Sequence, residues 1–595
     1  MTRRPALRVV VLVLVSVVAM LLAGCAGLPH GGGVHSVAAE EQADNETLVD
    51  FTPGGPKKGS DPVALVDNWL RAMTATPLST AVAKEFLTSG SSSSWVPERG
   101  AVVYGSHTLT PLPGRRVRLH LGDVVELDAR GAWLGDPTGG RGLDYVLRMV
   151  KEGGEWRITR PPNRLIIPLA HFDTQYQQYF LYFFDKSAQT LVPEPVYVPR
   201  GLQAPTFLVS ALLEGPVPRL RGVETTFVPA GTALNDMSVP VSRDGTAEVP
   251  LSDQVLDVDD DQLNLLYAQL AWTLGQVAGV ERLRITVGRT PVDLPGSRSD
   301  VSVSQWSEFD PALAWASTAL FGLRDGRMVA VTGDEERRVG GPFGSLPLGL
   351  RSLAVDLPAQ HVAGVSDHGT QVLEADKDRP SGGPATLADV QTVYRGSDVL
   401  RPAYDLYGQL WVVDRTSSGA RLSVVRAAQA RTLTAPGLTG EQVVRFVLSR
   451  DGTRLVAQVR RDGVDRLVVA RVERDAKGRV RALLPAQALP LAGTGDARIR
   501  DLGWRSPGSL AVLAGPTAGT SQVLIVKIDG SSTPEDLSTD AELFRDQAER
   551  IVTSPSVGSP LYIRTAGGQL FSLAATGRWT GTSIAPGLGA PTFVG

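Results

Sequence analysis

Most of what could cross-link this chain or equip it for catalysis is missing. Its 595 residues hold a single cysteine, Cys25, so no disulfide can form within the chain and every domain must be stabilised by packing. Histidine is scarce at 7 residues. His107, His120 and His171 stand apart with no ligand-spaced partner, and His30 and His35 fall in a linker that cannot fix a coordination geometry, so no metal is expected. The zinc-protease helix, the phosphate loop and the Gly-x-Ser-x-Gly elbow are all lacking. Blocks of like charge are lacking too. The formal net charge is −3 and Lys57-Lys58 stands alone, which disfavours nucleic acid and polybasic membrane contact. The apolar run Val9 to Leu22 falls short of the roughly 20 residues needed to span a bilayer.

That run nevertheless has a setting that gives it a purpose. Arg3, Arg4 and Arg8 precede it, and Leu22-Ala23-Gly24-Cys25 follows it, the order of a lipoprotein signal peptide. Small Ala23 and Gly24 let a peptidase close on the backbone. The thiol of Cys25 is the only side chain there able to form a thioether to a diacylglyceryl group. The expectation is cleavage between Gly24 and Cys25, lipidation of Cys25 with diacylglyceryl and N-acyl chains, and a body tethered on the extracytoplasmic face of the cell membrane. Each buried CH₂ contributes about 0.8 kcal/mol, and two or more chains make the anchor stable.

Residues 1–24 thus read as signal peptide and 25–59, rich in Gly, Pro and acids, as a flexible linker. Residues 60–164 read as an α+β domain of cystatin or nuclear-transport-factor type. Asp61-Pro62 caps an amphipathic helix through Met73, a Ser-rich stretch follows, and strands are expected at 101–104, 116–121, 124–129, 145–150 and 155–159. Residues 165–298 form a second α+β domain. Strands 179–184 and 192–198 pair, 205–213 is helical, 222–228 and the hairpin 238–251 continue the sheet, and a helix starts at Asp259 to Asp261. From 310 to 595 helical periodicity fades. Five units, each an apolar strand, a turn and another apolar strand, recur at Leu353, Pro402, Val444, Leu502 and Ile551. This spacing, about 40–60 residues, predicts a β-propeller of about six blades.

Three local patterns invite chemistry and have plainer readings. Val365-Ser366-Asp367-His368-Gly369 gathers triad residue types, but neighbours on an extended chain point to opposite faces, so it reads as a blade turn at His368-Gly369, equivalent to Leu448 to Thr453. Asp257, Asp259 and Asp261 imitate a calcium loop. Gln262 stands where that loop needs glycine and Ala268 where it needs glutamate, so the acids read as a helix cap. Trp411, Trp504 and Trp579 could line a sugar platform, but as blade aromatics they read as core. No cofactor and no catalytic residue is expected.

Taken together, the lipobox, the helix-led α+β domain, the second domain and the propeller resemble the actinobacterial LpqB lipoprotein family. The stretches from Pro205-Thr-Phe-Leu-Val-Ser-Ala-Leu-Leu-Glu-Gly-Pro to Gln269-Leu-Ala-Trp272 are similar to the germination module GerMN. Arg401-Pro-Ala-Tyr-Asp-Leu-Tyr-Gly-Gln-Leu-Trp and Val444-Arg-Phe-Val-Leu-Ser-Arg-Asp-Gly are similar to the family's propeller, from which Gly364 to Gly369 departs by placing His368 at a turn. The resemblance implies a non-enzymatic accessory role: association with the extracytoplasmic sensor part of the MtrB histidine kinase, modulation of its signalling to MtrA, and effects on envelope and division. Of the site residues, it carries over only Cys25. A rival reading is a propeller that binds envelope glycan or a small ligand in its funnel, or hydrolyses it. That needs polar and aromatic side chains converging on the funnel mouth, ideally with a perturbed carboxylate, and is excluded by an apolar plug.

Overall fold

Helix α1 (Pro62–Arg71) starts where the sequence places it, with Asp61 Oδ1 accepting from the amides of Val63 and Ala64 and proline in the first turn. It turns Leu65, Val66, Trp69 and Leu70 onto a sheet ordered β5-β4-β2-β1-β6. These strands are β1 (Ala101–Leu112), β2 (Arg116–Leu127), β4 (Leu143–Glu152), β5 (Glu155–Thr159) and β6 (Leu165–Pro168), with β3 (Trp133–Gly135) on the side of β2. All pairings are antiparallel except β1 with β6. The structure, a computed structural model, describes residues 50–294, 299–333, 335–379, 384–491, 498–515, 519–531, 543–544, 546–574, 576–584 and 586–595. Gly24, Cys25, His30 and His35 lie outside them.

Two details differ from expectation. The strands expected at 116–121 and 124–129 are one strand, β2, bent at Asp123. Asp123 takes a left-handed φ of 51°, which shifts the alternation so that Val117, Leu119 and Leu121 are buried before the bend and Val124 and Leu127 after it. The Ser-rich stretch is a short helix, α2 (Ser89–Ser94), because Thr88 caps the amide of Ser91 and the hydroxyls of Ser93 and Ser94 bond back to the carbonyls of Ser89 and Gly90.

In the middle domain β7 (Tyr176–Asp185) and β8 (Leu191–Pro199) pair antiparallel, and β9 (Glu224–Thr225) adds to β7. Helices α3 (Ala204–Leu213) and α4 (Asp260–Leu274) pack on this hairpin around a core that includes Phe183, Leu208, Leu266 and Tyr267. The segment 238–251 does not continue that sheet. Its hairpin shrinks to one bridge, Val241 with Ala247, and β10 (Thr246–Leu251) lies parallel to β11 (Arg282–Val287) in a separate sheet. Pro240 limits the pairing because it has no amide hydrogen to donate to the ladder.

Among the described residues the rest of the chain forms six antiparallel sheets, the blades of a β-propeller. The innermost strands of blades two to six are Leu350–Val355, Ala403–Tyr404, Gln442–Leu448, Arg498–Ser506 and Ala548–Val552, and each lies next to the following one. Blade one is assembled from both ends of the domain. Strands Leu320–Arg324, Arg327–Thr332 and Glu335–Arg338 are completed by Gly589–Thr592, with Phe321 opposite Thr592. Leu320, Val552, Tyr562, Leu570 and Phe593 share one apolar cluster, which joins blade six to blade one. Val365 to Gly369 is a blade turn as expected, but it joins the second and third strands of blade two, whereas Ser449 to Thr453 joins the first and second strands of blade four.

Candidate functional site

The middle domain is fastened to the propeller by charge that is buried. Arg454, only 1% exposed, lies at the inner-hairpin turn of blade four, and its Nη1 donates to Asp451 Oδ2 at 3.1 Å. Its Nη2 donates to Glu194 Oε1 of β8 at 2.7 Å and to the carbonyl of Pro193. Arg471 also reaches Glu194, and it lies 3.5 Å from Glu224 of β9. Burial works against ionising either carboxyl. For Glu194 the guanidinium groups of Arg471 and Arg454 overcome it and hold the pKa below the ordinary value. For Glu224 burial wins, reinforced by the negative charge of Glu194, and the pKa is pushed well above the ordinary 4.5. The same burial thus leaves the two carboxyls shifted in opposite directions, Glu194 down by its arginines and Glu224 up.

The same face of the propeller supplies further contacts. Tyr407, in the turn of blade three, donates to buried Asp185 Oδ2 at 2.5 Å, while its ring lies 4.7 Å beneath the Arg474 guanidinium. Arg474 in turn pairs with Asp405, which also accepts from Trp411 Nε1. In blade five Ser531 Oγ meets Tyr197 OH at 2.6 Å and Asp529 accepts from Gln178. The N-terminal domain joins β8 from the other side, where Tyr197 N donates to the carbonyl of Gly131 and an apolar cluster includes Val103, Phe172 and Tyr197. The described residues therefore form one continuous three-domain body.

The opposite ends of the inner strands surround a cavity of 260 Å³ at the mouth of the central funnel. Four of these strands carry a bulge at this level, and the residues just past it are Ser352, Arg445, Asp501 and Arg550. Arg401 enters beside them from blade three, and Arg351 and Arg415 complete the lining. Next to it is a void of 60 Å³ with a mixed lining, in which Phe446, Trp504 and Phe593 stand beside Arg401, Arg450 and Thr553. The mouth thus gathers five guanidinium groups around Asp501 and Phe446.

The remaining expected residues fall as follows. Asp259 caps α4, its Oδ1 accepting from Gln262 N at 2.8 Å, which is the capping role. Trp411 and Trp504 are buried between blades, and Trp579 packs on Phe544 at 6.2 Å, so all three serve the core. His107 and His120 are not isolated: they face Asp67 at 3.4 Å and Asp144 at 3.0 Å, partners that the pairing of β2 with β4 and the packing of α1 bring in from distant sequence. His171 is half-buried and burial pulls its pKa down. Among the described residues no group of three or more His, Cys, Asp and Glu side chains could hold a metal, and no helix is long and apolar enough to cross a membrane. The arginine mouth was missed from sequence. Its signal was there, an arginine shortly before the apolar core of the inner strand in all five repeat units, of which Arg351, Arg401, Arg445 and Arg550 line the mouth.

Known proteins share this arrangement. A family model described as "Lipoprotein LpqB, N-terminal domain" matches residues 55–173, one described as "Sporulation and spore germination" matches 180–293, and "Lipoprotein LpqB beta-propeller domain" matches 326–556. Lipoprotein LpqB of Thermobifida fusca is 28% identical over 584 residues, covering 88% of this chain and 90% of the relative. Those of Cutibacterium acnes and Streptomyces coelicolor are 26% and 27% identical, covering 89% and 92% of this chain and 90% and 93% of the relatives. With both LpqB-specific domains matched in order around the germination module, and with relatives aligned along nearly their whole length, the chain belongs to the LpqB lipoprotein family.

Proposed function

We propose that this protein is a lipid-anchored accessory factor on the extracytoplasmic face of the membrane, which binds the sensor domain of an MtrB-like histidine kinase and modulates signalling to MtrA without catalysing a reaction. The observation that supports it best is the buried Glu194–Arg454–Arg471 network, which holds the middle domain against one propeller face and leaves the other available. Such a body acts through surfaces. It shifts a kinase between conformations by the difference in its affinity for the two, and by no more than that.

The test is a pull-down of the kinase sensor domain with the purified full-length lipoprotein in detergent, followed by cross-linking in intact cells. A specific complex is expected, with cross-links on the lipoprotein body and altered kinase autophosphorylation. Recovery no better than with an unrelated lipoprotein refutes the reading.

A further inference from the structure

The cationic mouth of the propeller has more positive charge than its own structure uses. Five arginines line it, Arg351, Arg401, Arg415, Arg445 and Arg550, contributed by blades two, three, four and six. Arg351 and Arg415 share one carboxylate, Asp398, which lies beside the lining residue Val399. Arg445 pairs with Asp501, whose Oδ1 is 3.0 Å from Arg445 Nε and whose Oδ2 accepts from the amide of Ile551 at 3.1 Å. Both oxygens of Asp501 are therefore engaged. Arg401 and Arg550 have no hydrogen bond or ion pair among the described residues. Burial pulls the Arg401 pKa below its ordinary value. Asp501 counters this, and the like charges of Arg550 and Arg445 add to it.

Guanidinium groups converging on one cavity repel one another, and only part of that charge is balanced by Asp398 and Asp501. A compact oxyanion relieves both. Guanidinium forks match phosphate oxygens, forming short charge-assisted hydrogen bonds. Two unpaired arginines match a dianion, and 260 Å³ accommodates a phosphoryl group but no extended chain. The bulges place Arg445 and Arg550 on inner strands of the blades, and Arg401 enters from the segment just before the inner strand of blade three.

We propose that the mouth of the propeller funnel is a binding site for a phosphoryl dianion, held by Arg401 and Arg550 with Arg445 beside them. The shared chemistry is a terminal phosphate, which a soluble phosphate compound or an anionic phospholipid headgroup could supply. The site is independent of the kinase reading, and either stands if the other fails.

The test uses the full-length protein in detergent and titrates inorganic phosphate and pyrophosphate by calorimetry against sodium chloride of equal ionic strength. Binding is expected, with at least tenfold loss in R401Q and in R550Q. Thermal melting supplies a readout that does not depend on heats: phosphate raises the midpoint of the wild type and leaves the R401Q/R550Q double variant unmoved. A parallel arm measures flotation with phosphatidic acid vesicles, whose headgroup is a terminal phosphate, against phosphatidylcholine vesicles. Flotation that needs Arg401 and Arg550 and is competed by phosphate supports the site and assigns the headgroup source. Phosphate binding without such flotation supports it and assigns a soluble source. No phosphate response in either assay beyond that of chloride, or an undiminished response in the double variant, overturns the proposal.

Discussion

Replacing Arg454 with methionine keeps the length of the side chain and removes its charge where the propeller meets the middle domain. Three acceptors lose a donor, Glu194 Oε1, Asp451 Oδ2 and the carbonyl of Pro193, of which Glu194 keeps Arg471. Removing one partner of a buried ion pair costs about 3–5 kcal/mol, because the abandoned charge stays buried. At about 2–4 °C per kcal/mol for large domains, the melting midpoint of R454M should fall by roughly 6–20 °C. Glu224→Gln is the informative control. An acid whose native pKa is raised binds a proton that the unfolded chain has released, so its contribution is whole below about pH 4.5 and is lost as pH rises through the native value. Glutamine imitates the protonated form, so E224Q should melt like the wild type at pH 5 and at or above it at pH 8. Scanning calorimetry at both pH values checks this. If R454M melts within about 1 °C of the wild type, the buried network does not hold the domains together and the argument fails.

Three further outcomes follow from the same geometry. Tyr407→Phe keeps the ring under Arg474 but removes the donor to Asp185, and should cost about 1.5–3 kcal/mol in denaturant unfolding. Burial lowers the His361 pKa, but the hydrogen bond and charge of Asp356 outweigh it and leave the pKa above the ordinary 6.5. Its stabilising effect should therefore be complete below that pH and disappear as pH rises through the native value, and an NMR titration midpoint that does not drop in D356N contradicts the assignment. Cys25→Ala should move the protein from the membrane pellet to the soluble fraction on cell fractionation, whereas an unchanged pellet fraction rules out thioether anchoring.

What the sequence reveals depends on how local the cause is. Asp61-Pro62 and Asp259 act within one turn of their helices, and both caps are visible as residue pattern. The inner hairpins of blades two to six are contiguous in the chain and appear as repeats, whereas blade one has its innermost strand at Gly589–Thr592 and leaves no repeat to find. The helix Ser89–Ser94 contradicts intrinsic propensity and depends on side-chain to backbone bonds that a list of serines does not reveal. The arginine mouth was hidden for a related reason. Each contributing blade offers one or two cations, which in isolation read as solvated side chains, and only the ring of blades makes these cations neighbours.

The pairing of Phe321 with Thr592 imposes an order on folding. Blades two to six can fold as they emerge from synthesis, but blade one presents an open strand edge at Leu320–Arg324 until Gly589–Thr592 has been made. Bringing ends so far apart together costs about 5 kcal/mol of chain entropy beyond a constant term, which the contacts of Leu320, Val552 and Phe593 have to offset. A chain truncated before Gly589 should therefore fold with an unzipped ring, exposed to proteases along the edge that the missing strand would have covered.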